Sequence, residues 1–157
     1  VPKKGDARYE VRVDTREQQP WSFPAGGRCL GTVRATLPTG DYTLTGFEGR
    51  FVVERKGSAA EFAQNLFQPR FHRELARLDE VQHPYLFLEF DWARLVEFPV
   101  GSGVPESKWK FLKVTPHLLV KAYHEMRLAH PKLRVEFVGA YGREAASSLF
   151  KRVVDAG

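Results

Sequence analysis

Residues 40–56 read GDYTLTGFEGRFVVERK, and the reading of this stretch decides what kind of protein the chain encodes. Gly46 and Gly49 mark a turn between two extended segments, so the stretch is a β-hairpin. With the turn centred between Phe47 and Glu48, paired residue numbers sum to 95 and Asp41 lies opposite Glu54. Directly opposed side chains share a face, with Cβ atoms roughly 4.5–5.5 Å apart. Lys56, two residues beyond Glu54, points to that face and Arg55 to the other. An apolar strand, Phe51-Val52-Val53, therefore runs straight into Glu54-Arg55-Lys56 with an acid waiting opposite. Hard oxygen ligands so placed suit Mg²⁺ or Mn²⁺, and a lysine beside them suits phosphodiester hydrolysis. Taken singly, Gly40-Asp41 reads equally well as an ordinary turn and the three charges as a solvated strand end; the combination is what points to chemistry.

Working outward, Tyr9, Val11 and Val13 alternate with polar residues in a first strand ending at Asp14, and residues 28–36 form a second. Pro20, Pro24, Gly26 and Gly27 mark the loop between them, and the first strands are expected to form a meander. Downstream, Ser58 caps a helix through Phe62 and Leu66, and Phe71, Leu75 and Leu78 recur at helical spacing on a second. Tyr85 to Phe90, apolar except for Glu89, reads as a central strand, and residues 97–110 as a long loop. Thr115-Pro116 starts a helix that runs to about Ala129; a strand over Leu133 to Val138 and a helix over Arg143 to Val154 complete the chain. The expected architecture is α/β, a mixed sheet flanked by helices, in one domain spanning residues 1–157.

Composition narrows the function. With 24 Lys and Arg against 19 Asp and Glu, the net charge of +5 favours a polyanionic partner. Cys29 is a lone cysteine, so neither a disulfide nor a thiolate metal site is available, and no long uncharged apolar run suggests a membrane span. A reducing intracellular compartment is expected from the lone cysteine. The histidines show no ligand spacing, and the serines no nucleophile-elbow context. Beginning at Val1, the sequence leaves open whether it is a piece of something longer.

Gly40-Asp41 followed by Val53-Glu54-Arg55-Lys56, with Val13-Asp14-Thr15-Arg16-Glu17 upstream, resembles the nuclease domain of the XPF family of structure-specific endonucleases. Similarity continues through Arg70-Phe71, Leu86 to Asp91 and Arg143 to Ala146. This resemblance implies a restriction-endonuclease-like fold and metal-dependent cleavage of DNA near single-strand/double-strand junctions, such as flaps, forks and four-way branches. By motif position, Asp14, Asp41 and Glu54 are the implied metal ligands and Lys56 the catalytic lysine; Arg16, Glu17 and Arg55 organise the site. The family's acid four residues after the lysine is missing, because position 60 is Ala; Glu61 follows, its role open. The family's helix-hairpin-helix and helicase modules are absent from these residues, and pairing of its nuclease domains implies a homodimer, with Leu149, Phe150 and Val153 as a possible interface.

Two basic segments are candidates for DNA contact. Arg70, Arg73 and Arg77 share a helix stripe, and Lys108, Trp109, Lys110 and Lys113 interleave cations with aromatics. Each reads as well as a solvated face, with Trp109 packed inward. A non-cleaving DNA-binding partner of the same fold, which the intact Asp41, Glu54 and Lys56 argue against, and a restriction-like duplex endonuclease are the competing functions.

Overall fold

In the computed structural model, which describes residue 3 and residues 5–157, a six-stranded sheet is ordered β2-β1-β3-β4-β5-β6. Its strands are β1 (Tyr9–Asp14), β2 (Cys29–Ala35), β3 (Tyr42–Leu44), β4 (Phe51–Lys56), β5 (His83–Leu88) and β6 (Arg134–Phe137). Five helices complete the framework: α1 (Ala59–Asn65), α2 (Pro69–Leu78), α3 (Trp92–Val96), α4 (Pro116–Ala129) and α5 (Gly142–Ala156). The expected α/β architecture with a mixed sheet is what forms.

The meander is not. β1 and β2 run parallel, and β1 pairs antiparallel with β3 instead. A parallel pair needs a crossover, and residues 15–28 provide it. Two aromatic residues in this segment pack into the core rather than lining a loop surface: Trp21 stacks on Tyr42 with ring centroids 4.8 Å apart, and Phe23 lies 5.3 Å from Phe150. Packing them inward drags the chain across one face of the sheet, so it re-enters beside β1 in the same direction. The proline and glycine punctuation identified the loop without revealing where its rings go.

The hairpin register follows the sequence reading, with Tyr42 paired to Val53. Gly40, just before it, has φ +78°, and a Cβ there would collide with the Val52 side chain. Only glycine tolerates both conditions, so Gly40 fixes how Asp41 enters the sheet. β4, β5 and β6 are then mutually parallel. β5 is covered on both faces as its apolar run requires, though it sits one strand in from the edge, and β3 and β4 occupy the middle.

Two cores sandwich the sheet. On one face Val52, Leu86 and Leu88 pack under α1, α2 and α4 through Phe62, Phe71, Leu75 and Leu119. On the other, Val11, Val13, Val53 and Phe87 pack under α5 through Ala146 and Phe150. Phe150 is wholly buried in the chain's own core, which removes it from any interface. The stretch read as a loop over 97–110 is more ordered than expected: a 3-10 helix spans Glu106–Phe111, and the Trp109 indole N–H donates to the Val104 carbonyl at 2.9 Å. No helix among the described residues is long and apolar enough to cross a membrane.

Candidate active site

Strands β1, β4 and β5 all end at the same edge of the sheet, where antiparallel β3 begins. Extending the strand registers by one residue places Asp14 beside Asp41 and Asp41 beside Glu54; the Asp14 N–H donates to the Asp41 carbonyl at 2.8 Å and the Asp41 N–H to the Val53 carbonyl at 2.9 Å. Three carboxylates thus stand in a row across three adjacent strands, on the face covered by α2. They border a cavity of about 320 Å³ that also receives Arg16, Arg70, Glu74 and Arg77.

These acids are not alike. Asp14 is 3% exposed, and all its acceptor positions are in use. Its Oδ2 accepts from Arg16 Nε at 2.7 Å and the Arg16 N–H at 3.2 Å; its Oδ1 accepts from the Leu37 N–H at 2.9 Å and Arg16 Nη2 at 3.2 Å. Burial alone would raise its pKa, but the Arg16 side chain, then the Leu37 and Arg16 backbone donors, outweigh it and hold the carboxyl below its ordinary value.

Asp41 and Glu54 move the other way. Asp41 accepts one bond, from the Arg55 backbone N–H at 2.8 Å, and Glu54 accepts none from any described residue; its nearest cation is Lys56 Nζ at 3.9 Å. Burial raises Asp41 to about 6 against the pull of the Arg55 N–H, with Glu17 adding repulsion. Glu54 is pushed up to about 8 by burial first and by Asp41 second, Lys56 countering only part of it. Two facing carboxylates whose ionised forms the fold does not neutralise create a demand for a cation.

Lys56 lies in the same layer, with its Nζ 5.2 Å from the Phe71 ring centroid and 3.7 Å from Glu74 Oε2. Glu74 in turn meets Arg70 Nε at 3.8 Å. The place of Glu74 at the cavity depends on α2 lying across the strand ends, which no local pattern shows.

Arg55 occupies the opposite face. Its Nε donates to Glu89 Oε1, its Nη1 donates to the Gln19 carbonyl at 2.6 Å and approaches Glu17 Oε2 at 3.8 Å, and its guanidinium sits 4.6 Å from the Trp21 ring centroid. Arg55 thereby braces the strand end from behind while its backbone N–H holds Asp41 in front. Glu17 belongs to this brace, as do Glu89 and Trp21, two residues to which the sequence reading gave no role here.

A family model described as the ERCC4 domain matches residues 13–98, more than half of the 157 residues and including every residue of the row. The chain belongs to the ERCC4 domain family. Among solved structures it is similar to XPF from Aeropyrum pernix, with a TM-score of 0.59 and 21% identity over 92% of this chain and 60% of that one. It is likewise similar to XPF from Aeropyrum pernix in complex with DNA, with a TM-score of 0.58 and 22% identity over 93% of this chain and 64% of the other. At such identities the likeness establishes the fold, and the chain spans less than two thirds of those relatives. No curated protein gives a significant match.

Within this ERCC4 domain the remaining residues singled out from sequence divide cleanly. Arg70 and Arg77 border the cavity, whereas Arg73 is exposed and does not. Glu61 is exposed too, its backbone N–H bonded to Ser58 Oγ at 3.3 Å at the start of α1, and it takes no part in the cavity lining. In the 108–113 segment Lys108, Lys110 and Lys113 project from the surface while Trp109 is half-buried; the outward ring is Phe111, 71% exposed, under Lys110 Nζ at 5.2 Å. Among the described residues no three acidic, histidine or cysteine side chains close around one point tightly enough to cage an ion. What the site offers is an open pair of hard oxygen donors, the form in which Mg²⁺ binds through one or two carboxylates together with water and substrate phosphate.

Proposed function

We propose that this ERCC4 domain is a divalent-metal-dependent DNA endonuclease acting on branched or junction DNA (flap, fork or four-way), residues 1–157 forming one nuclease domain that works as a homodimer in an intracellular, DNA-associated setting. The observation that carries the reading is the largely buried Asp41–Glu54 pair, which Lys56 at 3.9 Å from Glu54 neutralises only in part, in a cavity rimmed by arginines. A DNA complex of XPF from Aeropyrum pernix, which shares the fold, supports DNA as the partner.

The donor set fits Mg²⁺ or Mn²⁺, with Asp41 and Glu54 as ligands and Asp14, engaged by Arg16, as the adjoining acid that steadies the row. Bound there, the ion would lower the pKa of water and offset charge building on a phosphodiester. Lys56, held by Glu54 and Glu74, supplies a proton-rich ammonium to orient the nucleophile or neutralise the scissile phosphate. Arg16, Arg70 and Arg77 bind flanking phosphates, guanidinium forks being suited to them. Arg55 and Glu17 fix the strand from which these groups project. Lys108, Lys110 and Lys113 extend the basic surface along the DNA.

Incubation with Mg²⁺ or Mn²⁺ and labelled flap, fork, four-way, linear duplex and single-stranded DNAs tests the reading. Metal-dependent cleavage of branched substrates is expected. Cleavage of linear duplex alone would identify a restriction-like enzyme, and binding without cleavage in either metal would reject the endonuclease.

A further inference from the structure

At the opposite edge of the sheet, where β4, β5 and β6 begin, lies a second cavity of about 470 Å³. Its lining residue Phe51 stands three residues before Glu54 on β4, roughly 10 Å at strand rise. Phe47, Tyr85, Leu149 and Val153 give it an apolar wall between the sheet and α5. Arg50, Arg134, Arg152 and His83 stand around that wall, and among the described residues no acidic side chain lines the cavity.

Three arginines at this cavity have no acidic side chain as partner among the described residues. Among these residues no Asp or Glu side chain lies within 4 Å of the Arg50, Arg134 or Arg152 guanidinium, unlike those of Arg12, Arg16, Arg28, Arg55 and Arg70. Two of them are nevertheless held in place. The Arg50 guanidinium lies 4.8 Å from the Phe47 ring centroid and donates one bond to the Gly157 carbonyl at 2.6 Å, and Arg134 lies 5.4 Å from the Tyr85 ring centroid and donates to His83 Nδ1 at 3.1 Å. Stacking on a ring fixes a guanidinium without using its N–H groups, so most of the five donors on each remain available. Ordered arginines with free donors are the usual means of binding phosphate, often two bonds at a time.

We propose that this cavity binds a nucleoside phosphate, its phosphate held by Arg50, Arg134 and Arg152 and its base laid against Phe47, Leu149 and Val153. Such a unit can come as a free mononucleotide or as the phosphorylated end of a DNA strand. Both have the same chemistry, and the site is separate from the acid row, so it requires neither metal nor cleavage.

Binding is measured on the whole chain in EDTA by calorimetry, with deoxyadenosine monophosphate, deoxyadenosine, inorganic phosphate and a short 5′-phosphorylated single strand as probes. The monophosphate is expected to bind more tightly than deoxyadenosine or phosphate. Arg134→Gln and Arg152→Gln, each checked by thermal melting, are both expected to weaken it about tenfold, the loss of a charge-assisted hydrogen bond. Asp41→Asn is expected to leave it unchanged. Tighter binding of the oligonucleotide than of the monophosphate would assign the site to a strand end, equal binding to a free nucleotide; each supports the proposal. Equal affinity for monophosphate and inorganic phosphate, or binding indifferent to both arginine substitutions, overturns it. Because no cleavage is read, failure of the nuclease assignment would leave this result standing.

Discussion

Glu54 and Arg55 are neighbours in the chain, yet they face opposite electrostatic worlds. In front of the sheet, Glu54 and Asp41 are largely buried with almost no donors, and burial and repulsion raise both above their ordinary values. Behind it, Arg55 is met by Glu89, Glu17, the Gln19 carbonyl and the Trp21 ring. Behind the sheet the charges are satisfied within the fold, whereas in front the Asp41–Glu54 pair is left short of donors. A charge set that the protein does not complete is what a ligand completes, whereas a completed set is a brace. Asp14 makes the same point from the next strand but one: little exposure, full hydrogen bonding, and a lowered rather than raised pKa.

The sharpest way to break this contrast is Asp41→Asn. Cleavage in Mg²⁺ should fall by roughly 10²–10³-fold or more, because an electrostatic stabiliser of the transition state is lost. Metal-free melting temperature should hold or rise, since one of two repelling carboxylates is gone. Retention of full cleavage by the variant would sink the assignment of Asp41.

Behind the sheet the sign of the stability change should reverse. Arg55→Met strips Glu89 and Glu17 of their shared cation and should cost about 1–3 kcal/mol, the loss of a charge-assisted hydrogen bond at a partly buried site. Glu54→Gln, one residue away, should stabilise the metal-free protein. Urea unfolding of the two variants side by side decides; equal signs would contradict the division into satisfied and unsatisfied faces.

The pH dependence follows from the same groups. An unfolded chain ionises Asp and Glu at their ordinary values, 3.8 and 4.5, while folded Asp41 and Glu54 keep their protons to about 6 and about 8. Between those limits the folded state binds more protons, so the stability these groups contribute is present at low pH and lost as pH rises from about 4 to about 8. Metal-free melting curves should therefore shift downward over that window. Saturating Mn²⁺ or the Asp41→Asn change should flatten the shift; a metal-free profile already flat would show the pair to be neutralised by the fold.

The smallest effect belongs to the surface lysines. Replacing Lys108, Lys110 and Lys113 together with Gln should reduce the salt slope of DNA binding by roughly 0.9 for each phosphate that no longer meets a cation, without changing the melting temperature. Isotherms at several salt concentrations give the slope, and an unaltered one removes this segment from the interface.

What the sequence determined by itself was local and periodic. Turn glycines set the hairpin register, the register placed Asp41 opposite Glu54, and period two put Lys56 in front and Arg55 behind. These relations involve residues a few positions apart or directly paired, so spacing carries them. Motif order from Asp14 to Arg70 also sufficed to identify the family, which residues 13–98 match.

Only the tertiary structure decided the rest. β2 runs parallel to β1 because Trp21 and Phe23 pack under α5, a preference invisible in the proline and glycine punctuation around them. Glu74 reaches Lys56 because α2 crosses the strand ends, and Glu89 reaches Arg55 because β4 and β5 are parallel neighbours. Above all, the opposite pKa shifts of Asp14 and Asp41 arise from burial and from which donors the folded chain sets against it: four bonds from Arg16 and Leu37 for one, a single Arg55 N–H for the other. A sequence specifies that both residues are aspartates; desolvation and hydrogen bonding, which exist only once distant segments pack together, decide which acid is left wanting a cation.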